Sequence, residues 1–145
     1  MPVYQVSYQH GRLLTEDMKA KMAAAITDAH VELTGAPRIF VHTFFNELPP
    51  GVSYSSEGPD HNITGITGSI RAGRPLDEKQ ALIKRIVASW TEITGQSPKQ
   101  VLAGLTEIVS EMQMEYGLIL PKPGDEPKWF ADNADALDGI SGTGL

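Results

Sequence analysis

The chain has 145 residues, 41% hydrophobic and 21% charged, with a net charge of −6; this suits one domain with a real core, and with no basic block it excludes nucleic acid as the main partner. The absence of cysteine removes disulfides, thiolate nucleophiles and cysteine-ligated zinc together. No apolar run approaches the roughly 18 residues of a membrane span and no basic-then-apolar leader is visible, so the expectation is no membrane span, no signal peptide and a cytoplasmic location.

Met1-Pro2 opens directly into Val3-Tyr4-Gln5-Val6-Ser7-Tyr8, so residues 2–9 read as a strand. If Met1 is removed, Pro2 becomes a free secondary amine fixed to a strand end. An N-terminal amine titrates near ~7.7–8.0, so its surroundings can make it a base or an acid at neutral pH. Thr15 predicts a helix N-cap, with Glu16 and Asp17 in the first turn. Met18, Met22, Ile26, Ala29 and Leu33 form one apolar helical face, ended by Gly35 and Pro37. Arg38 to Phe45 reads as a buried strand, and residues 49–61 as a turn-rich connection. A third strand is expected over 62–70. A second helix follows, with Pro75 in its first turn and Leu82, Ile83, Ile86, Val87, Trp90 and Ile93 on its apolar side. A fourth strand is expected near 100–108.

The chain repeats itself at an offset of 60 residues, Glu32-Leu33-Thr34-Gly35 recurring as Glu92-Ile93-Thr94-Gly95 with Pro37 and Pro98 beyond. The fold class expected is therefore α+β, as tandem duplicated β-α-β units forming a four-stranded sheet with two helices on one face. A single domain over 1–145 would comprise units 1–60 and 61–120 and a C-terminal extension, 121–145. The other sheet face keeps apolar residues, which predicts self-association. Trp129 and Phe130 are expected to dock, and the last dozen residues to be poorly ordered.

Arg71 and Arg74, at a strand end and ahead of a helix, suit a small carboxylate; taken by themselves they read first as surface arginines pairing with Asp77 or Glu78. His30, on the margin of the first helix's apolar face, reads by itself as a packing residue. His10, His42 and His61 show no ligand spacing with it, so no metal site is expected. Glu115 reads as a general base in an apolar stretch or as the wet side of a helical turn shared with Glu111. Thr64-Gly65-Ile66-Thr67-Gly68 is a glycine-containing strand, not a phosphate loop.

Pro2-Val3-Tyr4, Ala25-Ile26-Thr27-Asp28-Ala29-His30, Leu33-Thr34-Gly35, Arg71-x-Gly-Arg74, Met114-Glu115-Tyr116-Gly117, Leu120-Pro121-x-Pro123-Gly124 and Trp129-Phe130 occur together in one family. On these motifs, from residue 2 to about 130, the chain resembles the cis-3-chloroacrylic acid dehalogenase group of the tautomerase superfamily. The resemblance implies a homotrimer with a cofactor-free site around an amino-terminal proline, here Pro2, acting as base in tautomerisation or as acid in hydration. Arg71 and Arg74 would bind the substrate carboxylate, assisted by His30, and Glu115 would activate water. In the dehalogenases a tyrosine stands eleven positions before that glutamate; here the position is Gly104, with Tyr4 and Tyr116 the candidates to replace it. That departure favours a tautomerase acting on enol or dienol carboxylates such as phenylenolpyruvate or 2-hydroxydienoates, with low-level hydratase or dehalogenase activity. The alternatives are a cis-3-haloacrylate dehalogenase or propiolate-type hydratase, and, from another class, a non-catalytic trimeric binding protein.

Overall fold

In the computed structural model, which describes residues 1–140, the repeat is visible as geometry. Unit one runs β1 (Val3–Gln9), α1 (Glu16–Thr34), β2 (His42–Leu48) and a small hairpin, β3 (Tyr54–Ser55) and β4 (Gly58–Pro59). Unit two runs β5 (Thr64–Arg71), α2 (Leu76–Thr94), β6 (Val101–Ile108) and a hairpin, β7 (Met114–Glu115) and β8 (Leu118–Ile119). Residues 49–61 thus lie inside the repeat: their hairpin recurs, 60 residues on, as the one that carries Glu115.

The helices start and stop where local chemistry dictates. Thr15 Oγ1 accepts the Met18 N–H at 3.1 Å, and Gly35 takes up φ 71° with its N–H on Val31 O. Pro75 is the N-cap of α2 and not a member of its first turn, and Gly95, at φ 75°, ends it in the same way. The second strand begins at His42, later than expected. Pro37 offers no N–H and a fixed φ, and Phe40 N and Val41 N bond back to Pro37 O and Arg38 O, so residues 38–40 form a 3-10 turn that buries Ile39 and Phe40. Nor is β2 buried on both faces, because it is an edge strand with Phe44 53% exposed.

The sheet order is β2-β1-β5-β6, parallel within each unit and antiparallel where β1 meets β5. Both helices cover one face. Tyr4, Val6 and Tyr8 from β1 and Ile66 and Ile70 from β5 pack there against Met22, Ile26, Leu82, Ile86 and Trp90. Each fully buried aliphatic side chain of this set contributes about 1.5–3 kcal/mol.

The extension forms α3 (Glu126–Asp132) and α4 (Ala134–Leu137). Trp129 and Phe130 dock against Phe40, with ring centroids 5.6 and 5.7 Å away. Disorder of the last dozen residues is not what 134–140 show: Leu137 is fully buried and Ile140 packs on the same cluster. Residues 141–145 lie outside the described residues.

Candidate active site

The register brings the start of β1, the start of β2 and the ends of β5 and β6 to one end of the sheet, with Val3 paired to both His42 and Ser69. Pro2 is buried there, and its carbonyl accepts the His42 backbone N–H at 3.0 Å. Gln113, itself buried, clamps the residue ahead of it. Its Oε1 accepts from the Met1 amine and its Nε2 donates to Met1 O, each at 3.1 Å. Burial lowers that amine's pKa to about 5, with Arg71 and Arg74 pushing the same way and Glu115 and Glu126 opposing. The Met1 amine is therefore kept largely unprotonated at neutral pH.

Glu115 reaches the site on the β7–β8 hairpin. The turn between the strands places Tyr116 at φ 54° and Gly117 at φ 78°, both left-handed, as a two-residue hairpin of this twist requires. Tyr116 is the one non-glycine residue with positive φ among those described, and its hydroxyl donates to Ile39 O at 2.7 Å. Glu115 is 8% exposed, so it is not the wet side of a helical turn. His42 Nε2 bonds its Oε1, while Oε2 is buried without a partner. Burial raises the Glu115 pKa, and the His42 bond works against that rise. Met1, Val3, His42, Phe44, Glu115 and Tyr116 line an open cavity of about 280 Å³. A larger groove of about 750 Å³ between α2 and β6 is apolar, with Lys84 and Glu92 as its charged residues, and lies away from these groups.

The two arginines stand beside this cavity but do not line it. Arg71, 2% exposed at the end of β5, donates to Pro121 O at 3.2 Å and to Glu126, tying the sheet to the extension. Burial pushes the Glu126 carboxyl up, but its own backbone amide and Arg71 together bring it below the ordinary range. Arg74 donates to Thr34 O at 2.6 Å, satisfying a carbonyl at the α1 C-terminus, and lies 3.4 Å from Glu78. The Glu78 pairing is the one the surface reading expects; the burial of Arg71 is not.

His30 is 2% exposed on the helix side of β1, with Tyr4 Oη 2.7 Å from its Nδ1. Burial, then Arg74, the chain amine and Arg71, lower the His30 pKa to about 3, so the ring is neutral. With the buried phenol donating, Nδ1 accepts and Nε2 carries the ring proton. Among the described residues no cluster of three His, Cys, Asp or Glu side chains is placed to hold a metal ion.

Gly104 lies mid-strand on β6, the sheet edge opposite β2. A Cβ built there meets nothing within 4 Å, so the position opens onto unfilled space at that edge. Tyr4 and Tyr116 spend their hydroxyls on His30 and Ile39. Sequence reasoning missed His42 and Gln113: each pairs with a residue more than seventy positions away, a contact that leaves no local spacing to recognise.

The profile of the Tautomerase_3 family, described as "Putative oxalocrotonate tautomerase enzyme", matches residues 1–134. No curated protein sequence matches the chain. Among solved structures, N1, a member of the cis-3-chloroacrylic acid dehalogenase family, is 32% identical over 89% of this chain and 90% of its own, with a TM-score of 0.82. Pt0534 inactivated by 2-oxo-3-pentynoate is 26% identical over 81% and 94%, with a TM-score of 0.68. A fused 4-OT symmetric trimer shares the fold at 24% identity over 81% and 94%, with a TM-score of 0.72. With its duplicated fold, the profile match over nearly its whole length and the 32% identity to N1, the chain belongs to the tautomerase superfamily, in its cis-3-chloroacrylic acid dehalogenase-like group.

Proposed function

We propose that the chain, after loss of Met1, is a cofactor-free tautomerase of small enol or dienol carboxylates, phenylenolpyruvate and 2-hydroxydienoates being the substrate class. The observation that carries this reading is the surroundings of the chain's first amine. It is buried beside two arginines, and its pKa falls to about 5. Once Met1 leaves, the Pro2 nitrogen becomes the amine in that setting, on a carbonyl-anchored strand start, and the cavity grows by the space of Met1. Pro2 then takes the enol proton and returns it to carbon. Arg71 and Arg74 supply the field that draws the carboxylate, and His30, being neutral, contributes an N–H donor and no charge. A homotrimer is the assembly proposed, as in the fused 4-OT neighbour.

The test begins with intact mass, which must show the loss of one methionine. A retained Met1 makes the Pro2 nitrogen a tertiary amide and ends the proposal for that preparation. Pro2→Ala is expected to lower phenylenolpyruvate ketonisation at least ~10²-fold, the lower end of what a positioned base supplies. 2-Oxo-3-pentynoate, the inactivator in the Pt0534 structure, is expected to label Pro2. A non-catalytic binding protein predicts that Pro2→Ala changes no assay, and an unaltered KM in Arg71→Ala and Arg74→Ala would remove the arginines from the reading.

A further inference from the structure

His42 and Glu115, 73 residues apart, meet in the wall of the cavity that holds the chain start. A carboxylate in an apolar wall is costly unless its oxygens find partners. Glu115 is more than nine-tenths buried, yet only Oε1 is bonded, to His42 Nε2. Oε2 has no protein partner. Its surroundings are Met1, Val3, Phe44 and Tyr116, which need no acid for packing. A buried carboxylate oxygen left free beside a cavity is an acceptor waiting for a proton donor from the solvent or the substrate.

We infer that His42 is a positioning residue: its bond to Oε1 aims Oε2 of Glu115 at a water in the cavity, and so equips the Pro2 site to add that water to a conjugated unsaturated carboxylate. The inference rests on the Pro2 reading; the hydration itself is what the family resemblance implies, and the new element is His42 as the residue that aims its carboxylate. His42 is well fixed for this task. Its backbone N–H donates to the carbonyl of Pro2 and its Cα pairs with Val3, so the group that aims the carboxylate is built on the same short segment as the amine. Registering both in one frame fixes the separation between the carboxylate that would hold the water and the amine that would supply the proton. The Tyr4 hydroxyl is spent on His30, and the Tyr116 hydroxyl, though beside the Glu115 carboxyl, gives its proton to Ile39 O at 2.7 Å, so His42 is the nitrogen partner that fixes Oε1.

The step balances with propiolate. The water oxygen bonds to the β-carbon as one water proton passes to Oε2. The electron pair of the broken π bond takes a proton at the α-carbon from Pro2, in the fraction of molecules whose amine is protonated. One C–O bond and one C–H bond form, Glu115 returns its proton to Pro2 through solvent, and the sum is the addition of one water. Ketonisation of an enol needs no water and makes no such demand on Glu115.

The experiment compares both reactions in wild type, His42→Ala, His42→Gln and Glu115→Gln, each confirmed free of Met1 by mass. In His42→Ala the ratio of propiolate hydration to phenylenolpyruvate ketonisation is expected to fall by about ten- to a hundredfold. The loss should lie in kcat, with KM for propiolate little changed. His42→Gln, which keeps an N–H donor on a side chain of similar reach, should recover much of the ratio, and Glu115→Gln should abolish hydration. If His42→Ala does not fold, His42→Asn, too short to reach Glu115, is read in the same way. An unchanged ratio in the short variant, or a glutamine variant no better than it, overturns the inference. A wild-type protein that ketonises phenylenolpyruvate but leaves propiolate untouched overturns it alone; one inert toward both overturns it together with the Pro2 reading.

Discussion

His30 is held neutral by everything around it: burial first, then Arg74, the chain amine and Arg71. Its partner Tyr4 is equally buried, and burial raises the phenol well above its usual value, so the pair stays a neutral donor and a neutral acceptor. A histidine whose folded pKa is depressed to about 3 leaves the unfolded chain binding a proton first, near pH ~6.5. Its contribution is therefore complete above that pH and is lost as pH falls toward 3, by up to about 1.4 kcal/mol per pH unit. Glu115, whose pKa is raised, acts in the opposite sense, so the diagnostic is a difference between two proteins. Urea midpoints of wild type are expected to fall more steeply between pH 7 and pH 5 than those of His30→Gln, which keeps an acceptor for Tyr4 and cannot titrate. Parallel slopes would mean that His30 is not the buried neutral base described.

At the scale of elements the two units share a backbone and differ in what fills it. The place of Tyr4 and His30 in unit one is taken in unit two by Thr64 and Trp90, both donating to Gln96 Oε1 at 2.7 Å. The place of Pro2 is taken by Asn62. The amine and the Tyr4–His30 pair therefore belong to the first unit alone, while the second unit supplies Arg71, Arg74, Gln113 and Glu115. Sequence made the frame legible because helix ends write themselves in single residues such as Thr15, Gly35 and Gly95. It left β3, β4, β7 and β8 unread because strands of two residues have no period, and it placed β2 too early because the turn at Arg38–Phe40 looks apolar and strand-like. One glycine ties the frame to the site. A Cβ on Gly68 would stand 2.5 Å from Tyr4 Cε1 and 2.8 Å from Leu105 Cδ2. Gly68→Ala must therefore displace the Tyr4 ring, and with it the bond to His30. The expected cost is ~1–3 kcal/mol in chemical denaturation, whereas Gly104→Ala, which meets nothing within 4 Å, should shift the midpoint by less than ~0.5 kcal/mol.

For the whole molecule, the helix-free sheet face decides what the chain does with its surface. Because Tyr4, Val6, Ile66, Ala103 and Leu105 point toward the helices, alternation sends Val3, Gln5, Phe44, Thr67, Leu102 and Gly104 to the opposite face. Phe44 is 53% and Leu102 66% exposed, at the two sheet edges, with small and polar residues between them. A self-associating ring of copies would cover the apolar edges and bring one chain's β6 edge, with the empty space at Gly104, toward another's cavity at Phe44. Each copy carries a net charge of −6, so assembly gathers like charge, and the apolar contacts must outweigh that repulsion. Two outcomes follow for light scattering on the purified protein. Wild type is expected to be trimeric, and raising the salt from low to physiological concentration should strengthen the trimer, because screening shortens the reach of the repulsion to about 8 Å. Leu102→Glu removes apolar area and adds charge at the same edge, so it should release monomers that keep their helical circular dichroism but bind carboxylate substrates poorly. A wild type that remains monomeric at micromolar concentration, or a Leu102→Glu variant that remains trimeric, would show that this face is not the interface.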